Sequence, residues 1–204
     1  MIDLVLEDLA HTYPGGVRAL DGVSLTIGAG ESVALIGQNG SGKSTLVRHL
    51  NGLLRPTSGR VLVDGTDAAE LRVAELARRV GLVFQEPDRQ IFSSSARREV
   101  EFGARNAGLR EAELAEAVAE ALALVGLAGE ERTNPYDLGP ARRKLLAIAS
   151  ILAMGTPVVV LDEPTTGQDP AGVARVREVV ARSMEAGRTV IAVSHDLRFV
   201  AETF

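Results

Sequence analysis

Three stretches of this chain are apolar almost without interruption: Val80-Gly81-Leu82-Val83-Phe84, Pro157-Val158-Val159-Val160-Leu161 and Thr189-Val190-Ile191-Ala192-Val193. Short runs of this kind predict strands covered on both faces, as in a parallel sheet. A further apolar run, Ser32-Val33-Ala34-Leu35-Ile36, reads as another strand. Residues 2 to 9 and 23 to 27 instead alternate apolar and polar positions, with Pro14-Gly15-Gly16 between them, and residues 60 to 65 read as one more short strand. These predict a small antiparallel sheet. Helical spacing appears at Leu46, Val47, Leu50 and Leu53, at Leu114, Val118, Leu122 and Val125 before Gly126, and at Val173, Val176, Val180 and Met184 before Gly187. A glycine just past the last periodic residue is a helix stop, and aliphatic stripes of this kind are core. From about 86 to 150 the patterns are mostly helical, over a length far beyond a crossover. The expectation is an inserted helical subdomain at about 86–150 and a core made of about 1–85 and 151–204.

Between the run ending at Ile36 and the helix carrying Leu46 lies Gly37-Gln38-Asn39-Gly40-Ser41-Gly42-Lys43-Ser44-Thr45, which matches G-x-x-x-x-G-K-[ST] in its strand-loop-helix context. Gly37, Gly40 and Gly42 let the backbone bring N–H groups against phosphate oxygens, and the following helix adds its positive dipole end. Asn39 and Ser41 lie within this cradle. Lys43 supplies a point charge to the β and γ phosphates, the Ser44 hydroxyl can ligate Mg²⁺, and Thr45 is expected near the α phosphate. The fold class that follows is α/β: a P-loop NTPase core with a mixed, mainly parallel sheet, an antiparallel β flank and the helical insertion.

The run Val158 to Leu161 ends in Asp162-Glu163. At a strand's C-terminal edge beside the P-loop, Asp162 can hold Mg²⁺ and Glu163 can polarise an attacking water; the plainer alternative is an acidic turn. His195 follows the run ending at Val193 and can reach a γ phosphate, although a histidine at a helix start is often structural, with Ser194 or Asp196 capping. Gln85 follows Phe84, and its amide oxygen can ligate Mg²⁺ or the attacking water. Tyr13 sits in the first loop, where its ring can stack on a base or pack locally.

Composition narrows the partners. The chain has 204 residues, 46% of them hydrophobic, enough for a core. A net charge of -5, a pI of about 5.3 and 3% aromatic residues argue against nucleic acid. No cysteine is present, which removes thiolate metal sites and disulfides. Met1-Ile2-Asp3-Leu4 lacks the basic and apolar regions of a leader, and no stretch of about 18 apolar residues occurs. The chain is expected neither to be exported nor to span a membrane by itself.

The order Tyr13, the P-loop, Gln85, a helical segment, the Walker-B run Val158 to Glu163, Thr166-Gly167-Gln168-Asp169 and His195 resembles the nucleotide-binding domain of ATP-binding cassette proteins over nearly the whole chain. The run from Val83 to Ser93, followed by Glu99-Val100-Glu101-Phe102-Gly103, is similar to the ATPase subunits of energy-coupling-factor importers of cobalt and vitamins. The resemblance implies that Tyr13 stacks on adenine and Gln85 couples Mg²⁺ to the helical lobe. It also implies that Asp169 belongs to a loop crossing a dimer interface and that His195 contacts the γ phosphate. Two such domains would close around two ATP molecules, each held between one P-loop and the other subunit's signature. The closure would drive integral membrane subunits from the cytoplasmic face of the membrane, the partner docking in the groove between core and helical lobe. A soluble, non-transport cassette ATPase and a nucleotide-sensing subunit with little turnover are the alternatives.

The chain departs from the family at its signature. Where Leu-Ser-Gly-Gly-Gln is expected, it carries Leu138-Gly139-Pro140-Ala141-Arg142. Gly139 removes a hydroxyl donor and Pro140 has no backbone N–H to offer a phosphate. The site completed by this signature is expected to be poor, while Lys43, Asp162, Glu163 and His195 leave the chain's own site competent. Pairing with a different, ordinary-signature ATPase follows; the competing reading is an active homodimer in which Arg142 restores the phosphate contact. Resembling proteins also continue past Phe204 through further strands, so an unpaired sheet edge and reduced stability are expected.

Overall fold

The computed structural model describes residues 2–204; Met1, counted above in the core boundary, lies outside them. Strands β1 (Leu4–Thr12), β2 (Arg18–Ile27), β4 (Ser58–Val63) and β5 (Thr66–Asp67) form an antiparallel sheet in the order β2-β1-β4-β5. Strands β3 (Ser32–Ile36), β6 (Val80–Val83), β7 (Val158–Asp162) and β8 (Thr189–Ser194) form a second, parallel sheet in the order β3-β8-β7-β6. The two kinds of sheet follow the two hydrophobic patterns, alternation in one and continuous runs in the other. The antiparallel strands are longer than their alternation implies, because β1 continues past residue 9 to pair Thr12 with Arg18. A bulge makes this possible. Asp8 adopts φ 46° and shifts the register between Leu6 and Leu9, so that Leu9, Ala10 and His11 are all buried. Gly59 on the neighbouring strand has φ 74°, and a Cβ there would lie 2.3 Å from the Asp8 carbonyl oxygen, so the close approach at the bulge requires a residue without a side chain.

In the parallel sheet, side-chain alternation splits the buried strands β6, β7 and β8 between two cores, while β3 packs Val33 and Leu35 on one of them only. Val159, Leu161, Val190 and Ala192 face helices α3 (Ala96–Ala107), α4 (Glu111–Leu124), α5 (Pro140–Leu152) and α6 (Pro170–Glu185). Val158, Val160, Ile191 and Val193 face α1 (Lys43–Leu50), α2 (Val73–Arg79) and the buried side of the antiparallel sheet, including Leu4, Leu6, Val61 and Val63. Full burial of each such aliphatic side chain contributes about 1.5–3 kcal/mol. Short α7 (Leu197–Thr203) closes the described chain.

Three helical expectations shift. Leu53 is 45% exposed rather than part of the α1 face, because α1 ends at Leu50 and Asn51-Gly52 turn the chain away. On α6 the buried face runs through Val176, Val179, Val180 and Ser183, leaving Val173 at its margin and Met184 41% exposed. The boundary placed at 150 falls inside α5, whose buried residues continue to Leu152.

Candidate functional site

The parallel sheet brings four loops to one edge. The segment Gly37–Gly42 follows β3, Gln85 follows β6, Glu163 follows β7 and His195 follows β8, all at the carboxyl ends of their strands. Crevices there are the natural ligand sites of open α/β sheets. A cavity of about 390 Å³ opens at this edge, lined by Tyr13, Asn39 to Thr45, Gln85 and Glu163.

Within it the glycine loop is held by its own backbone, Ser41 N–H donating to the Gln38 carbonyl at 3.2 Å. Gly42 is the N-cap of α1 with φ 89°, and an added Cβ would meet the Ala19 carbonyl oxygen at 2.4 Å, so glycine is required where the loop enters the helix. The Lys43 ammonium donates to the carbonyls of Gly37 and Gln38, each at 2.8 Å, and lies 3.3 Å from Ser41 Oγ. An anion in the loop would draw it outward. The Ser44 hydroxyl donates to Asp162 Oδ1 at 3.1 Å, joining the first turn of α1 to the end of β7. Burial pushes the Asp162 carboxyl above the usual carboxylate range, against the Ser44 hydrogen bond and the nearby Arg48, so this buried anion favours a positive partner. A hydroxyl, a carboxylate and the Gln85 amide oxygen are hard oxygen donors, the set that suits Mg²⁺ held jointly with phosphate.

Glu163 lies one residue farther on, 5% exposed, with His195 Nδ1 2.8 Å from its Oε2. It has φ 51°, a left-handed conformation that costs a side-chain-bearing residue about 1–3 kcal/mol. The surroundings compensate: its N–H donates to the Val193 carbonyl at 2.9 Å, and its own carbonyl accepts from Lys144 Nζ at 2.9 Å. His195 is exposed, while Asp196 caps α7 by accepting from Phe199 N–H and Ser194 Oγ accepts from Asp196 N–H. The capping is therefore done by its neighbours, and the imidazole faces Glu163.

The Tyr13 hydroxyl is 3.1 Å from Thr45 Oγ1, and its ring meets His11 edge-on with centroids 4.6 Å apart. Behind them lies a pair the sequence reading passed over. Buried His49, on α1, places Nδ1 2.7 Å from the Thr45 carbonyl and Nε2 3.2 Å from His11 Nδ1, which also faces the Arg55 carbonyl at 3.1 Å. The two His49 contacts fit a neutral ring, its Nδ1–H donating to the Thr45 carbonyl and its Nε2 accepting from His11 Nδ1–H, which the Arg55 carbonyl shares. Burial pushes the His49 pKa below the ordinary value. The unfolded chain therefore takes up this proton first, near pH 6.5, and stability is fully present above that pH and declines as pH falls through the folded pKa. His49→Gln is expected to flatten the fall of melting temperature between pH 7 and 5 by about 3–5 °C for each unit of depression removed. Identical slopes in thermal melts would reject this account.

The signature segment stands apart: none of Leu138 to Arg142 lines the cavity that holds the P-loop. Leu138 is buried, Gly139 is the N-cap of α5 and Pro140 opens the helix, a position proline favours because it has no N–H to lose. Arg142 pairs with Glu130 at 2.8 Å on the surface, and Arg143 pairs with Asp88 at 2.9 Å. Of the basic run Arg142-Arg143-Lys144 at the start of α5, Lys144 is not solvated: it is 5% exposed and donates to the carbonyls of Glu163 and Thr166. Asp169 is exposed at the N-cap of α6, its carboxylate accepting from Gly172 N–H at 2.7 Å.

A family model described as ABC transporter matches residues 20–166. A putative ABC transporter ATP-binding protein of Caldanaerobacter subterraneus subsp. tengcongensis is 45% identical over 202 residues, 98% of this chain and 36% of its own length. The Energy-coupling factor transporter ATP-binding protein EcfA of Methanothermobacter thermautotrophicus is 44% identical over 199 residues, 97% of this chain and 64% of its own. The chain thus spans less than two thirds of the length of either relative. Among solved structures, cbiO1 from Clostridium perfringens, described as part of the ABC transporter complex cbiONQ, superposes with a TM-score of 0.84 at 38% identity, covering 98% of this chain and 81% of the other. By fold, by matched residues and by these relatives, the chain belongs to the ABC transporter family.

Proposed function

We propose that this chain binds and hydrolyses ATP as one of two ATPase subunits powering an importer of the energy-coupling-factor type, for a transition-metal ion or a vitamin. The observation that carries the reading is the convergence of Lys43, Ser44, Gln85, Asp162, Glu163 and His195 at one sheet edge, with Ser44 3.1 Å from Asp162 and Glu163 2.8 Å from His195. The P-loop amides, the amino end of α1 and Lys43 would hold the phosphates, and Tyr13 would stack on the adenine. Ser44, Gln85 and Asp162 would hold Mg²⁺, which supplies charge neutralisation for the β and γ phosphate oxygens. Glu163 would orient the attacking water and accept its proton, and His195 would stabilise charge on the γ phosphate while steadying the carboxylate.

Because Leu138 to Arg142 lie outside this cavity, they would serve a site on another subunit, and Asp169 would meet that subunit nearby. Gly139 and Pro140 weaken that second site, which favours a partner ATPase with an ordinary signature. The relatives named for energy-coupling-factor transport and the complex named for cbiO1 support the membrane role. No described helix is long and apolar enough to cross a membrane, so passage would belong to other subunits and this chain would sit at the cytoplasmic face. A groove of about 490 Å³ between α2, α3 and α5 exposes Phe92 and Phe102, edge to face at 4.8 Å, and suits a membrane subunit's apolar helix.

Affinity capture from detergent-solubilised cells tests the assignment. The full chain is expected to retain a second ATPase and a multi-spanning protein, and Phe92→Ser with Phe102→Ser to lose the multi-spanning protein alone. Capture of nucleic acid or soluble proteins by both forms would move the chain to the non-transport reading. ATP binding without turnover in the captured assembly would move it to the nucleotide-sensing one.

A further inference from the structure

We infer that Lys144 is a positioning residue for Glu163, tying the first turns of α5 to the backbone that carries the candidate general base. The inference rests on the ATPase reading above and concerns how that site is set. Lys144 Nζ reaches out of α5 to donate to the Glu163 carbonyl at 2.9 Å and the Thr166 carbonyl at 3.1 Å, residues far along the chain from it. A second link runs alongside: Gln168 Nε2 donates to the Ala141 carbonyl at 2.9 Å. The segment Glu163 to Gln168 is thus fastened to α5 at several points, and the firmest of them bears on the residue with the left-handed backbone. An ammonium buried in this way must be compensated. Burial pushes Lys144 below the ordinary lysine pKa, against the pull of the Glu163 and Asp162 carboxylates, and the two carbonyls supply the oxygen atoms it needs. A surface role would not bring a lysine to 5% exposure.

The consequence is mechanical. Charge-assisted bonds to a carbonyl fix that peptide plane, and the plane sets where the Glu163 side chain starts toward His195. A displacement of the start of α5, where Gly139 and Pro140 lie, would be delivered to the carboxylate through Lys144. The side chain does not line the cavity that holds the P-loop, so it acts through Glu163.

The test compares wild type, Lys144→Met and Lys144→Arg in the assembled ATPase. Methionine keeps the stem and removes every donor. ATP affinity and KM are expected to be unchanged while kcat falls about 10–100-fold, the usual effect of loosening a group that orients a catalytic residue. Arginine, which retains donors and charge, is expected to recover part of the loss, and Lys144→Met is expected to add nothing once Glu163 is already glutamine. An unchanged kcat, or an equal fall in affinity and kcat, would overturn the inference.

Amide hydrogen exchange on the nucleotide-free chain gives a second reading that needs no turnover. Glu163 and Thr166 N–H groups are expected to exchange about tenfold or more faster in Lys144→Met, while amides of β1 keep their rates. Unchanged exchange at both would sink the positioning role. Absence of ATP binding or turnover in wild type would count instead against the ATPase reading, leaving the exchange result to decide on Lys144.

Discussion

Glu163→Gln is expected to leave ATP binding intact and to lower turnover by about 10²- to 10⁴-fold, the range that a positioned general base contributes. The substitution keeps the length and hydrogen-bonding reach of the side chain, so the contact from His195 Nδ1, now 2.8 Å from Oε2, retains an oxygen to meet. What is lost is the anion. A buried carboxylate next to the Ser44–Asp162 pair can take a proton from water, and a neutral amide cannot. The left-handed backbone at residue 163 is as available to glutamine as to glutamate, and its carbonyl remains bonded to Lys144, so folding is expected to be unaffected. Equilibrium ATP binding and phosphate release on the same preparation check the prediction. Unchanged turnover would remove Glu163 from the chemistry, and loss of binding would mean that the substitution damages the P-loop side of the cavity.

The second large effect belongs to the signature. Changing Gly139→Ser, Pro140→Gly, Ala141→Gly and Arg142→Gln together is expected to raise turnover at the site this segment is proposed to complete by about 10²- to 10³-fold for each donor regained. The cost to the fold is small. Pro140 would give up its favourable helix-opening position, and the Arg142–Glu130 pair lies on the surface, where solvent screens it. The pairing with Glu130 also bears on the homodimer reading, since Arg142 would have to leave that partner to reach a phosphate. In that reading Arg142→Ala alone abolishes an activity that wild type already has by itself; in the asymmetric reading there is little activity to abolish.

The sequence carried the fold where one strand or helix determines its own pattern. The continuous runs at Val158–Leu161 and Val190–Val193 are readable because a strand buried on both faces has no polar side to interrupt it. Alternation revealed the antiparallel flank, but not the bulge at Asp8, because a single left-handed residue leaves no periodic trace. Leu53 and Met184 fit a helical spacing and lie outside the buried faces; spacing reports a stripe, while packing determines its width and end. The candidate site was readable wherever a loop motif follows an apolar run, which is how Lys43, Glu163 and His195 were singled out. Lys144 and His49 were not. Each acts through partners distant in sequence or through the depth of its burial, and a lysine after two arginines, or a histidine between Arg48 and Leu50, looks like ordinary surface. The one available signal for Lys144 was its place beside the apolar stretch Leu145 to Ala149, where the buried face of α5 begins.

One mixing experiment tests the asymmetric ATPase most directly. Wild-type chain lacks an ordinary signature, and a chain carrying both the restored signature and Glu163→Gln lacks the proposed general base. Steady-state phosphate release is measured for each alone and for an equimolar mixture. Each alone is expected to be nearly inactive, and the mixture to turn over about 10²-fold faster or more, because only the mixed pair joins an intact Glu163 to an intact signature. Wild type alone matching the mixture, or a mixture no faster than its parts, would contradict the account.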